Sequence, residues 1–211
     1  LAGRALFAPP LARRRRALWR MGRLPVPDRP GVRVEVRALG GFEVRVEGRP
    51  VRFRREKARL LLALLTVRDW EKEDLLEALE ATPGEFRVLW WEVVNALEPE
   101  RPKGAPPYFL RTRPYGLNLE APELYLDLRD PALPPLSPYR GLDHPVLDEA
   151  ARAYLEERRR GLLQSPRPED WLLALRLDPL DEAALGRLRG TALYEKGLRL
   201  RLVAEAELEG D

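Results

Sequence analysis

The sequence predicts an α+β chain: a short antiparallel sheet, three helices and a hairpin, then an all-helical half. Three observations predict it. Between Val32 and Phe53, apolar residues recur at every second position, the period of a half-buried strand. Between residues 54 and 98, and again between 145 and 208, they recur at steps of three and four, the helical period. Finally, YFLRTRPYGLNL at residues 108–119 sets two short apolar runs around a tip of arginine, proline and glycine.

Bulk composition narrows the class. The chain has 211 residues, 45% of them hydrophobic, enough for one large globular domain or two small ones. Cysteine is absent, so disulfides and thiol-metal sites are excluded, which suits a reducing cytoplasm. The longest apolar run, Leu60 to Val67, is too short to span a bilayer and contains Thr66. No apolar stretch with a cleavage site follows the first arginines, so no secretory signal and no membrane partner are expected. The net charge of +3 hides an asymmetry: residues 1–60 hold 17 Lys+Arg against 5 Asp+Glu, and the remainder holds 20 against 29. A basic end on a near-neutral protein points to a polyanion such as nucleic acid. Arginine (33) dwarfs lysine (4), and there are 21 prolines, a composition expected of a GC-rich genome and a thermophile.

Taken in order, residues 1–30 read as a basic arm or linker, with Arg13 to Arg16 as a cationic block and Pro25, Pro27 and Pro30 forbidding a continuous helix. Val32, Val34 and Val36 alternate with Arg33, Glu35 and Arg37, a strand with its valines inward. Gly40-Gly41 and Glu47-Gly48 mark turns around a second strand, Phe42 to Val46. The first helix is expected over Arg54 to Val67, buried through Ala58, Leu61, Leu62 and Leu65, and the second over Glu71 to Glu80. Arg52, Arg54, Arg55, Lys57 and Arg59 crowd the start of the first helix, opposing its dipole; a solvated charged face with Glu56 inside it, the commoner case, or an anion seated at the helix start accounts for them. In the third helix, Phe86, Trp90, Val93 and Leu97 form the buried stripe, and Thr82-Pro83 supplies a cap and a first-turn proline. A helix followed by a basic hairpin is the layout of a winged helix-turn-helix, here with an N-terminal antiparallel sheet and spanning residues 31–121.

Residues 122–211 are expected to be all α. Asp143 and Pro145 open a helix to about Leu163; Trp171 to Leu177 form the next, Asp178-Pro179 cap a third, and Ala192 to Leu208 close the chain. Helix pairs with short Pro or Gly breaks read as hairpins similar to tetratricopeptide units, too few for a free solenoid.

LGGFEVRVEGRPVRFRREKARLLLALL at residues 39–65, YFLRTRPYGLNL at 108–119, PYRGLDHPVLDEA at 138–150 and LRLDPLDEAAL at 175–185 occur in the order of the SARP family of bacterial antibiotic-pathway regulators. The chain resembles that family over roughly residues 32–200. The resemblance implies an OmpR-type winged helix followed by a bacterial transcriptional activator domain. It also implies a cytoplasmic transcriptional regulator that binds double-stranded DNA, with the helical half meeting RNA polymerase or a second copy. Family members carry several basic residues along the third helix; the matching positions here are Glu92, Val94 and Asn95, and only Arg87 is basic.

The residues expected to touch DNA are Arg54, Arg55, Lys57, Arg87, Asn95, Arg111, Thr112, Arg113 and Tyr115. Cations neutralise phosphates and release counterions. Asn95 suits an adenine edge and Arg87 a guanine or phosphate. Arg111 and Arg113 at a hairpin tip suit a minor groove. Against this, residues 61–100 hold three cations and ten acids, and Glu92 near phosphate would be repelled. Leu89, Trp91 and Val94 lie off the buried stripe. They support the alternative of a degenerate winged helix acting as a protein-interaction module without sequence-specific DNA binding. Catalysis is not expected: His144 is the only histidine, a His/Cys metal cluster is impossible, no phosphate loop is present, and no cofactor is implied.

Overall fold

The computed structural model describes residues 31–209. The basic arm expected over 1–30, with Arg13 to Arg16, lies outside the described residues. The chain divides into two compact units, the first ending at Ala150 and the second starting at Ala151.

The first unit is built on a four-stranded sheet in the order β3-β2-β1-β6. Strand β1 (Val34–Arg37) pairs antiparallel with β2 (Glu43–Val46), Val34 opposite Val46 and Val36 opposite Val44. Strand β3 (Arg49–Pro50) extends the edge beyond β2. On its other side β1 pairs in parallel with β6 (Leu124–Leu126). The valines of β1 point into the core as the alternation predicts, but Arg33 and Glu35 are also buried, at 3% and 1% exposure, where solvent was expected. Both faces of the sheet are covered at this strand. Glu35 accepts from Arg37 Nη2 at 2.7 Å, and Arg33 lies with its guanidinium 5.7 Å from the Phe109 ring centre.

Three helices follow. Helix α1 (Glu56–Val67) buries Ala58, Leu61, Leu62, Leu64 and Leu65. It begins two residues later than Arg54: Arg55 is its extended N-cap residue, with φ −117° and ψ 132°, and the backbone N–H groups of Arg54 and Arg55 are bonded to Glu92. Helix α2 (Lys72–Ala78) is a short connector ending before Glu80, whose φ of 46° lies in the left-handed region. Helix α3 (Pro83–Leu97) opens on a capping box: Glu85 N donates to Thr82 Oγ1, and Thr82 N donates to Glu85 Oε2 at 2.8 Å. Its buried residues are Phe86, Leu89, Trp90, Val93, Val94 and Leu97, each contributing about 1.5–3 kcal/mol when fully withdrawn from water. A two-stranded hairpin follows, β4 (Leu110–Thr112) against β5 (Tyr115–Leu117).

Residues 122–150 complete this unit, whereas the sequence reading gave them to the helical half. Besides β6, Asp127 binds the turn after β1, accepting from Ala38 N at 2.8 Å and Leu39 N at 2.9 Å. Tyr139 meets Thr66 Oγ1 at 2.8 Å, and burial pushes its hydroxyl up to about 12. His144 Nδ1 accepts from Val146 N, which leaves Nε2 to donate to Ala78 O at 2.8 Å; the sole histidine fastens the end of α2.

Helix α4 (Pro145–Gln164) starts in the first unit and runs into the second. The second unit continues with α5 (Pro168–Leu177), α6 (Glu182–Leu188) and α7 (Tyr194–Glu209). Its core is Leu172, Ala174, Leu175, Ala184, Leu185 and Leu188, flanked by Trp171, Leu193 and Leu198. Asp181, rather than Asp178, caps α6, accepting from Ala183 N and Ala184 N. Gly197 permits close helix approach: a Cβ there would lie 2.9 Å from Leu188 Cδ1 and 3.1 Å from Leu175 Cδ2. Among the described residues no helix is long and apolar enough to cross a membrane.

Candidate nucleic-acid interface

Helix α3 has one face in the core and one in solvent. Pro83 and the acidic Glu85 are exposed in its first turn, and beyond that turn the exposed side chains are Arg87, Val88, Trp91 and Asn95, at steps of one, three and four. Val88 is 48% exposed and Trp91 41%. Leu89 and Val94, expected on this outer face, are instead buried at 3% and 0%. The expected stripe was too narrow, because α3 buries a broad face against α1 on one side and the hairpin on another. Neither Leu89 nor Val94 can serve a partner surface. Trp91 remains, with the Arg101 guanidinium 4.8 Å from its ring centre.

Glu92 is half-buried, its side chain 12% exposed, and it faces the start of α1. Its Oε1 accepts from Arg54 N at 2.6 Å and Arg55 N at 3.0 Å, and its Oε2 accepts from Arg55 Nη1 at 2.6 Å. The anion at this helix start is a side chain of the protein itself. Desolvation pushes the Glu92 carboxyl up, but the hydrogen bonds from the Arg55 side chain and from both backbone N–H groups outweigh it. The group is held below the ordinary carboxylate range.

The remaining cations divide. Arg55 is engaged by Glu92. Lys57 Nζ donates to Glu80 O at 2.9 Å. Arg111 is also engaged: its Nη2 donates to Asp69 Oδ1 at 2.5 Å and its Nε to Leu117 O at 3.2 Å. Asp69 fits only because residue 116 is glycine; a Cβ there would stand 2.1 Å from Asp69 Oδ1. Arg54, Arg87 and Arg113 have exposed side chains that make no ion pair among the described residues, and Thr112 and Asn95 are exposed. Tyr115, expected on the DNA surface, packs its ring edge-on against Phe86 and Trp90, centroids 5.3 and 4.9 Å away, while its backbone pairs with Trp70. It props the hairpin on α3.

Sequence reasoning missed three residues here. Val88 follows Arg87 and precedes Trp91 by three, so a helical wheel anchored on the core would have found it. Asp69 and Gly116 carry no local signal, since their relation is one of spatial approach across separate elements. Between the start of α1 and the start of α3 lies a groove of about 620 Å³ lined by Arg55, Glu56, Lys57, Gly84, Glu85 and Val88, with the buried Leu89 at its floor. Among the described residues no group of three or more His, Asp or Glu side chains is placed to hold a metal ion.

No family model, curated protein or solved structure matches this chain.

Proposed function

We propose that the first unit is a winged helix of the SARP type that contacts duplex DNA, and that the chain is a cytoplasmic transcriptional regulator. The second, helical unit serves a second copy of the chain or RNA polymerase. Helix α3 enters the major groove through Arg87 and Asn95, and the hairpin sets Thr112 and Arg113 on the sugar–phosphate backbone. The observation that carries this reading is the placement of Glu92. Its charge faces Arg55 and two backbone N–H groups rather than solvent, which removes the strongest objection to an anion on this face. Arg113→Ala should weaken binding to every duplex and flatten the slope of log K against log salt by about 0.9, the contribution of one neutralised phosphate, whereas Arg87→Ala should weaken binding chiefly to duplexes that carry its base and relax the preference for it. The test is fluorescence anisotropy of the full chain with a random-sequence duplex between 25 and 300 mM salt, each roughly within the range where such slopes are linear. Absence of binding at the low-salt end overturns the reading.

A second reading is favoured by Val88 and Trp91, two large apolar groups exposed on the same helix face. On that reading the face is a protein contact and base recognition has been lost. Trp91→Glu then abolishes self-association in light scattering; a chain that is monomeric before and after the change removes this reading.

A further inference from the structure

We propose that Glu92 is an autoinhibitory residue that withholds Arg55 from DNA. The inference rests on the duplex-binding reading above. Arg55 is 53% exposed along its side chain, so it stands at the protein surface, yet its guanidinium is spent on Glu92 Oε2 at 2.6 Å. Glu92 lies on α3 and Arg55 immediately before α1, 37 positions apart. The carboxylate therefore makes three hydrogen bonds that an incoming phosphate would otherwise find. A phosphate at Arg55 has to displace a neighbour held in place by two backbone N–H groups, and displacing it would set a carboxylate beside the phosphate. The other charges lining this groove do not replace what is lost: Lys57 is turned to Glu80 O, and Glu56 and Glu85 are acidic.

Glu92→Gln separates the two roles of this side chain. Its amide oxygen still accepts from Arg54 N and Arg55 N, so the join between α1 and α3 is kept, but the ion pair is gone and Arg55 is released. Duplex affinity then rises and its salt dependence steepens by about 0.9, one further phosphate contact. Read over the decade from 1 M to 0.1 M salt, that slope is a gain of about eightfold at the lower concentration.

Removing any acid from the face would favour DNA to some degree, so the decisive comparison is a cycle with Arg55. Native chain, Glu92→Gln, Arg55→Ala and the double variant are titrated with the same random-sequence duplex across salt, after circular dichroism and thermal melting confirm that each is folded. Withholding predicts that Arg55→Ala costs clearly more affinity, and more slope, in the Glu92→Gln background than in the native one. An equal cost in both backgrounds means that Glu92 acts only as a distant negative charge, and overturns the inference. Unchanged affinity in Glu92→Gln, with the native chain binding, overturns it too and leaves the duplex reading standing. If no chain of the four binds at any salt, the duplex reading itself falls.

Discussion

Glu92 lies on α3 and Glu98 caps the end of that helix, and each accepts two consecutive backbone N–H groups from another segment of the chain. Glu92 takes those of Arg54 and Arg55 at the start of α1. Glu98 takes those of Tyr108 and Phe109, at 2.7 and 2.8 Å, just before β4. The geometry is shared and the electrostatics are opposed. Glu98 is 2% exposed, and its second oxygen lacks a hydrogen-bond partner among the described residues. Desolvation dominates there, and its carboxyl is raised despite both N–H donors and the nearby charge of Arg33. Glu92 lies nearer solvent with an arginine in direct contact, and its carboxyl is lowered. One carboxylate is a buried structural clamp that fixes the hairpin to the end of α3. The other is a surface clamp whose charge also decides what that side of the first unit offers an anion.

The largest expected effect lies on the buried side. Glu98→Ala leaves the N–H groups of Tyr108 and Phe109 unsatisfied and removes a counter-charge from Arg33. Urea unfolding should show a loss of about 3–5 kcal/mol, the cost of breaking a buried charged contact from one side. A loss under about 1 kcal/mol would mean that the hairpin is held by its apolar contacts alone.

Next comes the hairpin's other fastening. Gly116→Ala drives a Cβ into the Asp69 carboxylate, a surface side chain that can swing aside and release Arg111, and should cost no more than about 1 kcal/mol, the value of a surface ion pair. In an Asp69→Ala background the same change should cost less still. If it costs the same in both backgrounds, the close approach to Asp69 is not the cause.

The two clamps should also part company with pH. Glu98's folded value is raised, so its ionised form is penalised in the folded state at neutral pH. That penalty is relieved as pH falls through the raised folded value to the ordinary carboxylate value. Glu92's folded value is lowered, so its contribution is present above the ordinary value and is lost as pH falls through the folded one. The stability of the native chain relative to Glu98→Gln should therefore improve on acidification, and relative to Glu92→Gln it should decline. Parallel trends would contradict the contrast drawn between them.

Trp91→Ala should be the mildest change, about 0.5–1 kcal/mol, the value of an exposed contact with the Arg101 guanidinium. A much larger loss would show Trp91 to be part of the core rather than of the outer face.

Much of the scaffold was legible from residue order. Alternation from Val32 to Val46 located the first two strands, and Thr82-Pro83 located the start of α3, because caps and periods are local signals. β6 was not read, since its three residues gain strand character only by pairing with β1, 90 positions earlier. Leu89 and Val94 were assigned outward because a helical stripe gives the centre of a buried face and not its width, which is set by how many elements pack on it. The outer face was legible at Arg87, Trp91 and Asn95. Glu92 could be read as an acid in the wrong place but not as the partner of Arg55, since that relation exists only once α1 and α3 are packed.

The most direct test of the account is an amide NMR titration of the isotope-labelled chain with a short duplex at low salt. Shifts confined to Arg87, Val88, Trp91 and Asn95 on α3 and to Thr112 and Arg113 at the hairpin tip, fading as salt is added, are the predicted result. Shifts that spare α3 and the hairpin while appearing elsewhere on the chain would contradict it.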